Sequence, residues 1–521
     1  MAIRQDRPAQ FTRRVALGGG AAAALAACAP RSGAPKDVLR VAIDSEPDSL
    51  DPLKGQFASA ALLYKQLHAP LTEYSPTGGL APGLALTWRS DDARTWRFTL
   101  RENLVWSDGA PLTSDDVVWT ARRVVDPSTG FAEQGDFFAV INARASLRGE
   151  VAPEEIGVSA LDPRTVEFRL DRPVAIFPVL MREFYPLPRH VVEADPDHWT
   201  RPENWVSAGP YVLEDRAAMA LRLRRNPRFA AADTVAVETI AVDVIEDTAA
   251  RARRFRAGDY DLAERPPSDQ IAFLRERLRD QLAAFPAPIL TYLKVNCAKS
   301  HLSDPRVRWA LSLASDRTRI NTQFFNGEAR PTDRVIPDPD APSPEEDLAA
   351  ARRFLGHAGF GPDNPLQITL RATVGDRDRI AVALMDDWAR IGVQTQLLAS
   401  YPLDMYQAVD GGDFDLALAR FDRGLKIDPE FMMQPFSEDG FADNTRWTGP
   451  RRSAFNALID AASAEMDGAA RLAGLREAEA IFLEEMSSIP LVFERAYWMV
   501  ASRVRYGAEI PPHLWRDLSL G

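Results

Sequence analysis

Cysteine is almost missing from this chain, with two copies, Cys28 and Cys297, in 521 residues. A disulfide framework is therefore excluded, and at most one bridge could form. Histidine is scarce too. Its six copies, His68, His190, His198, His301, His357 and His513, are scattered and never fall at i, i+3 or i+4. Neither His-Glu-x-x-His nor Cys-x-x-Cys occurs, so no local metal motif is present. No lysine follows a glycine, which removes a phosphate-binding loop, and no Gly-x-Ser-x-Gly elbow exists for a hydrolase. Basic charge is in deficit at a net −12. That argues against a general nucleic-acid binder, since phosphate contacts need a basic surface. No repeat of 20–50 residues is visible, which argues against a solenoid or propeller. Carboxylates abound, but pairs for acid–base work cannot be recognised without geometry. Cys297 follows Asn296 in an apolar setting and reads as a small buried hydrophobe rather than a nucleophile.

The remaining composition, 46% hydrophobic and 26% charged, is that of a globular protein. A core of this size normally splits into several domains. The first 27 residues read as an address label. Arg4, Arg7, Arg13 and Arg14 precede an uncharged stretch, Val15–Ala27, too short to span a bilayer permanently. Arg13-Arg14, with the glycines Gly18 to Gly20 softening the apolar run, resembles a twin-arginine export signal. An ordinary secretory signal with two chance arginines is the other reading. Leu25-Ala26-Ala27-Cys28 resembles a lipobox, which makes Cys28 the candidate lipidation site; a signal cut after an Ala-x-Ala pattern would leave Cys28 incidental. Cleavage before Cys28 leaves 494 residues and deepens the charge to −15. Residues 28–37 then form a lipidated tether. No later segment approaches 18 uninterrupted apolar residues, so the mature chain is not expected to span the membrane.

The mature chain alternates strand and helix signals, which predicts an α/β fold. Val38–Ile43 reads as a β-branched strand. Thr95–Arg101 alternates, with Trp96, Phe98 and Leu100 on one face. Thr113 followed by Asp116 forms a capping-box pattern ahead of a helix striped by Val117, Thr120, Ala121 and Val124. Val307, Ala310, Leu311 and Ala314 mark a second helix. Ala381, Leu384, Trp388 and Ile391 mark a third that ends near Gly392. Strands are expected at 393–398, 414–421 and 489–492. Leu472, Leu475, Ile481 and Phe482 mark a long helix before the last of them.

Leu100 to Val118 (LRENLVWSDGAPLTSDDVV) resembles the signature of the family 5 extracellular solute-binding proteins, the peptide-binding components of bacterial ABC importers. Other segments follow in the family's order: Glu46-Pro47-Asp48-Ser49-Leu50-Asp51-Pro52, Gly209-Pro210-Tyr211, Arg225-Asn226-Pro227, and Asp304-Pro305-Arg306-Val307-Arg308-Trp309-Ala310-Leu311. The resemblance implies a two-lobed periplasmic-binding-protein fold of type II, with an extra subdomain inserted in the first lobe. Lobe I would cover 38–280 with an insert at about 70–204, lobe II 281–500, and 501–521 would return to lobe I. It also implies a non-enzymatic protein without a cofactor or resident metal, although some family members carry nickel or haem. The expected setting is periplasmic, as a lipid-anchored monomer. The expected partners are a peptide or related small solute and the permease subunits with their cytoplasmic ATPases.

Ligand contacts carried over from the family fall on Ser45, Glu46 and Pro47 in the first lobe and on Ala419, Arg420, Phe421 and Asp422 in the second, with Phe131 as a further pocket residue. The family's peptide binders hold the terminal ammonium with an aspartate that follows a tryptophan. Here Asp422 is that candidate, but Ala419 stands in place of the tryptophan. Asp422 could equally be a solvated loop acid or a helix cap. Arg420, taken to lie across the strand from it, could meet a carboxylate or phosphate or serve in a surface ion pair. Glu46 could simply fix its turn, and Phe131 could be core. A non-peptide solute (opine, sugar, metal chelate), or a sensor or chaperone role on the same fold, stands as the alternative function.

Overall fold

The computed structural model describes residues 37–521, except 76–78, 130–136, 138, 423, 425, 427, 439, 441, 508–510 and the side chain of Asp376. The signal, Cys28 and Phe131 lie outside the described residues.

A single eleven-stranded sheet runs through the molecule. On one side, Val38–Ile43 pairs in parallel with Thr239–Val244 and with Leu262–Glu264. On the other, Leu416–Asp422 pairs in parallel with Gln367–Thr373, which pairs in parallel with Gln394–Ser400. Helices Asp376–Ala389 and Pro402–Gly411 separate these parallel strands in sequence, as parallel pairing requires. Two long antiparallel strands, Leu282–Val295 and Ser488–Val500, join the two sides. Their lower halves belong to the first lobe and their upper halves to the second. Their register breaks between Pro286 and Leu290. Pro286 and Pro288 carry no N–H for the ladder, so a bulge falls there and the strand can bend. The expected two-lobed α/β fold is what forms.

A separate four-stranded antiparallel sheet (Ala85–Arg89, Thr95–Leu100, Thr165–Arg169, Val158–Asp162) packs beside the first lobe. Trp96, Phe98 and Leu100 are buried on one of its faces, as their alternation predicts. Phe98, Phe168 and Trp106 share one apolar core with Leu39, Val41 and Ile43 of the main sheet. The second lobe has its own cores, one around Val307, Leu311, Trp388 and Leu416 and another around Leu290, Phe421, Phe455 and Phe482.

Local chemistry fixes the elements. The helix Ser114–Val124 begins with the capping box, Asp116 Oδ2 accepting from the Thr113 N–H at 2.9 Å. Asp304 caps the helix Pro305–Ala314 through the Arg306 N–H at 2.9 Å. Gly209 lies so close to the Leu67 backbone that a Cβ would sit 2.4 Å from its carbonyl carbon. Buried Asn226 locks the two neighbouring motifs together, donating to the Gly209 carbonyl at 2.8 Å and receiving the Arg228 N–H at 3.0 Å. Asn296 satisfies the carbonyls of Gly412 and Phe414, each at 3.1 Å. Cys297 packs against the Phe421 core, and burial pushes its thiol up to about 11. Two details differ from the sequence reading. Leu472, in the helix Gly468–Glu485, faces solvent. The strand expected at 489–492 is the beginning of a 13-residue strand, Ser488–Val500.

Candidate functional site

A cleft of about 2090 Å³ lies between the two lobes. Its back wall is the crossing pair, at Pro286–Ile289 and Glu494–Trp498. Its sides include the carboxyl ends of strands: Glu264 ends Leu262–Glu264, Thr373 ends Gln367–Thr373, and Asp422 ends Leu416–Asp422. In open α/β sheets the carboxyl ends of parallel strands are where ligands bind, because helix starts and loops converge there.

Cationic and anionic side chains line the cleft in near-equal number, although the whole chain is strongly acidic. Most are already engaged. In the first lobe Lys65 donates to both Glu183 oxygens, at 3.0 and 3.2 Å. The hydroxyls of Tyr74 and Tyr185 complete that carboxylate's shell at 3.0 and 3.2 Å. Burial would raise the Glu183 pKa, but Lys65 and Lys426 outweigh it and hold the group below its usual range. In the second lobe Arg420 donates to Asp422 at 2.9 Å and to Glu494 at 3.0 Å. Thr291 donates to the other Glu494 oxygen at 2.6 Å. Burial works against the Arg420 charge, yet Glu494 and Asp422 prevail and raise its pKa.

Two carboxyls are less well served. The Glu264 carboxyl has no hydrogen bond or ion pair with any described residue. Burial pushes it up to about 7. Glu430 accepts from Ser463 Oγ at 2.6 Å, but its second oxygen is buried without a partner. Burial likewise pushes it up to about 7. The lobes touch nearby, where the Ala175 N–H donates to the Ser463 carbonyl at 2.7 Å and Phe431 joins the first-lobe core.

The residues expected to bind ligand divide as follows. Arg420 and Asp422 line the cleft. They are two apart on a strand, so they share one face and bond to each other rather than lying across it. Ala419 and Phe421 point to the opposite face, into the second-lobe core. Ser45, Glu46 and Pro47 follow the first strand but are not part of the lining. Ser45 Oγ bonds Asp44 and Ser59, each at 3.0 Å, and Glu46 reaches Arg216 at 3.8 Å. Sequence reasoning did not find Lys65, Glu183, Glu264 or Glu430. For Glu264 a signal existed, an acid closing a short apolar strand just before Pro266-Pro267.

Two lobes, two crossing strands and a polar cleft at strand ends define a solute-binding protein of the periplasmic type. The chain matches the family described as "Bacterial extracellular solute-binding proteins, family 5 Middle" over residues 79–444, and it belongs to that family. It is 30% identical over 467 residues to the periplasmic murein peptide-binding protein MppA of Escherichia coli K12, covering 86% of each chain. It is 28% identical to that strain's probable deoxycholate-binding periplasmic protein YgiS, covering 88% of this chain and 89% of the relative. The unliganded open form of MppA superposes with a TM-score of 0.83 at 28% identity, over 94% of this chain and 98% of that one.

Proposed function

We propose that this protein captures peptides in the interlobe cleft and hands them to the permease of an ABC importer. The observation that carries this is the cleft itself, about 2090 Å³ in volume and backed by a strand pair with a proline bulge. Its membership of a family whose relatives include the murein peptide-binding MppA and the oligopeptide-binding OppA supports the choice of peptides. Ligand drives closure only by binding the closed lobes better than the open ones. Arg420 and Asp422 form the second-lobe contact, while Ser45, Glu46, Pro47 and the backbone at Ala419 and Phe421 contribute main-chain bonds once the lobes close. Nothing in this scheme calls for catalysis.

We further propose export through the Arg13-Arg14 signal and tethering of the monomer through lipid on Cys28. Several acyl chains on one residue anchor firmly, at about 0.8 kcal/mol per buried CH₂. Mass spectrometry of the solute that co-purifies with the protein, followed by calorimetry with di- to hexapeptides, tests the assignment. A bound peptide is expected. A single co-purifying non-peptide solute, with no peptide titrating, would replace the reading. The bile-acid name of YgiS makes a steroid acid the second reading to include.

A further inference from the structure

Glu264 is a buried carboxyl of the cleft that the described residues leave without a hydrogen bond or ion pair. It ends the strand Leu262–Glu264 beside Trp498 of the crossing strand and is 8% exposed. Two cations stand close, and both are committed elsewhere. Arg265 donates to Asp44 at 2.7 Å. Arg251 spends its guanidinium on main-chain carbonyls, those of Glu264 and Arg265 at 3.0 Å each and that of Ile245. The other cleft acids described above have cations or donors on both oxygens or share a guanidinium, Glu430 excepted. An acid held apart in this way is costly unless something arrives to meet it, because a buried charge needs a counter-charge or several donors. Lobe closure would expel the remaining water and sharpen that need.

We propose that Glu264 receives a cationic group of the ligand, an amino terminus or a basic side chain, so that the cleft selects cationic solutes. Glu430, facing the same cleft from the second lobe with one oxygen unpartnered, offers a second point for a ligand with two positive groups. The inference rests on the cleft being the ligand site proposed above. It adds a charge preference that broad main-chain recognition does not supply, since backbone bonds are blind to side-chain charge.

Calorimetry on ligand-free protein with three probes tests it: trilysine, N-acetyl-trinorleucine amide, and spermidine. The wild type is expected to prefer trilysine to the uncharged peptide by about tenfold or more. Glu264→Gln keeps the shape, removes the charge and erases most of that preference. Glu264→Asp, with its charge drawn back by one methylene, falls between, and serves should the glutamine variant fail to fold. A preference that is absent, or unchanged in Glu264→Gln, overturns the inference and leaves peptide binding standing. If neither peptide binds but spermidine does, and Glu264→Gln weakens it, the charge selection stands and the peptide reading falls. If no probe binds, both fall.

Discussion

A buried acid without a counter-charge leaves a mark on stability as well as on binding. The Glu264 pKa rises from 4.5 to about 7 because burial penalises its charged form, with Asp44 adding to the shift and Arg265 and Arg251 opposing it. The folded state therefore holds this proton more tightly than the unfolded chain does. Its contribution to stability is fully present below about 4.5 and is lost as pH rises through about 7. Glu264→Gln removes that pH dependence. Thermal melts are expected to show little difference between variant and wild type near pH ~4 and a variant advantage that grows toward pH ~8. A constant offset across that range would contradict the unpaired state of Glu264. At Asp422 the expected effect is on affinity. Asp422→Asn leaves Arg420 with Glu494 alone, and calorimetry should show peptide binding weakened about tenfold or more. Arg420 and Asp422 were singled out through the family resemblance, and both line the cleft. Glu264 and Glu430 were not singled out: an acid closing a short strand before Pro266-Pro267 was the one signal for Glu264, and the missing neighbour that marks both has no sequence pattern.

Elements were easier to read than residues where a local rule decides them. The capping box, the striped helix behind it and the alternating strand at Thr95–Leu100 each follow from spacing alone. The crossing strand Leu282–Val295 was not among the expected strands, and Pro286 and Pro288 lie inside it. In the structure they are the bulge at which the sheet passes from one lobe to the other. The C-terminal segment illustrates a long-range tie that spacing cannot show. Arg503 donates to both oxygens of fully buried Asp261 at 2.8 Å and to the Val38 carbonyl at 2.7 Å. Arg40 reaches the same carboxylate at 2.8 Å. Burial would raise the Asp261 pKa, but Arg503 and Arg40 overcome it, so the group sits below its usual range. Its stabilisation is thus present above the ordinary aspartate pKa and lost as pH falls through the depressed one. Asp261→Asn is expected to cost about 3 kcal/mol in urea unfolding at neutral pH, since two guanidinium groups lose their counter-charge. A loss below about 0.5 kcal/mol would show that the tail is held by Trp515 and its apolar neighbours instead.

For the whole molecule, place and motion carry the function. Tethering is tested by Cys28→Ser, which should release the protein from the membrane fraction and abolish palmitate labelling; retention of both would refute the anchor. Export is tested by Arg13→Lys with Arg14→Lys, which should leave the protein in the cytoplasm.

Motion is the more demanding expectation. The lobes share one sheet, so closure must bend the strands that cross between them, and their ladder is interrupted at two places, the bulge at Pro286–Ile289 and the register shift between Thr291 and Tyr292. The lobes also touch through the Ala175–Ser463 hydrogen bond and through Phe431. Adding the solute that co-purifies with the protein should lower the radius of gyration in small-angle scattering. It should also raise the melting temperature, by about 2.7 kcal/mol of linkage at a hundredfold excess over Kd. A rise in melting temperature with no change in radius would mean that ligand binds without closing the lobes. In that case the two crossing strands would act as a rigid spine rather than a hinge, and the permease would have to recognise the ligand rather than the closed shape.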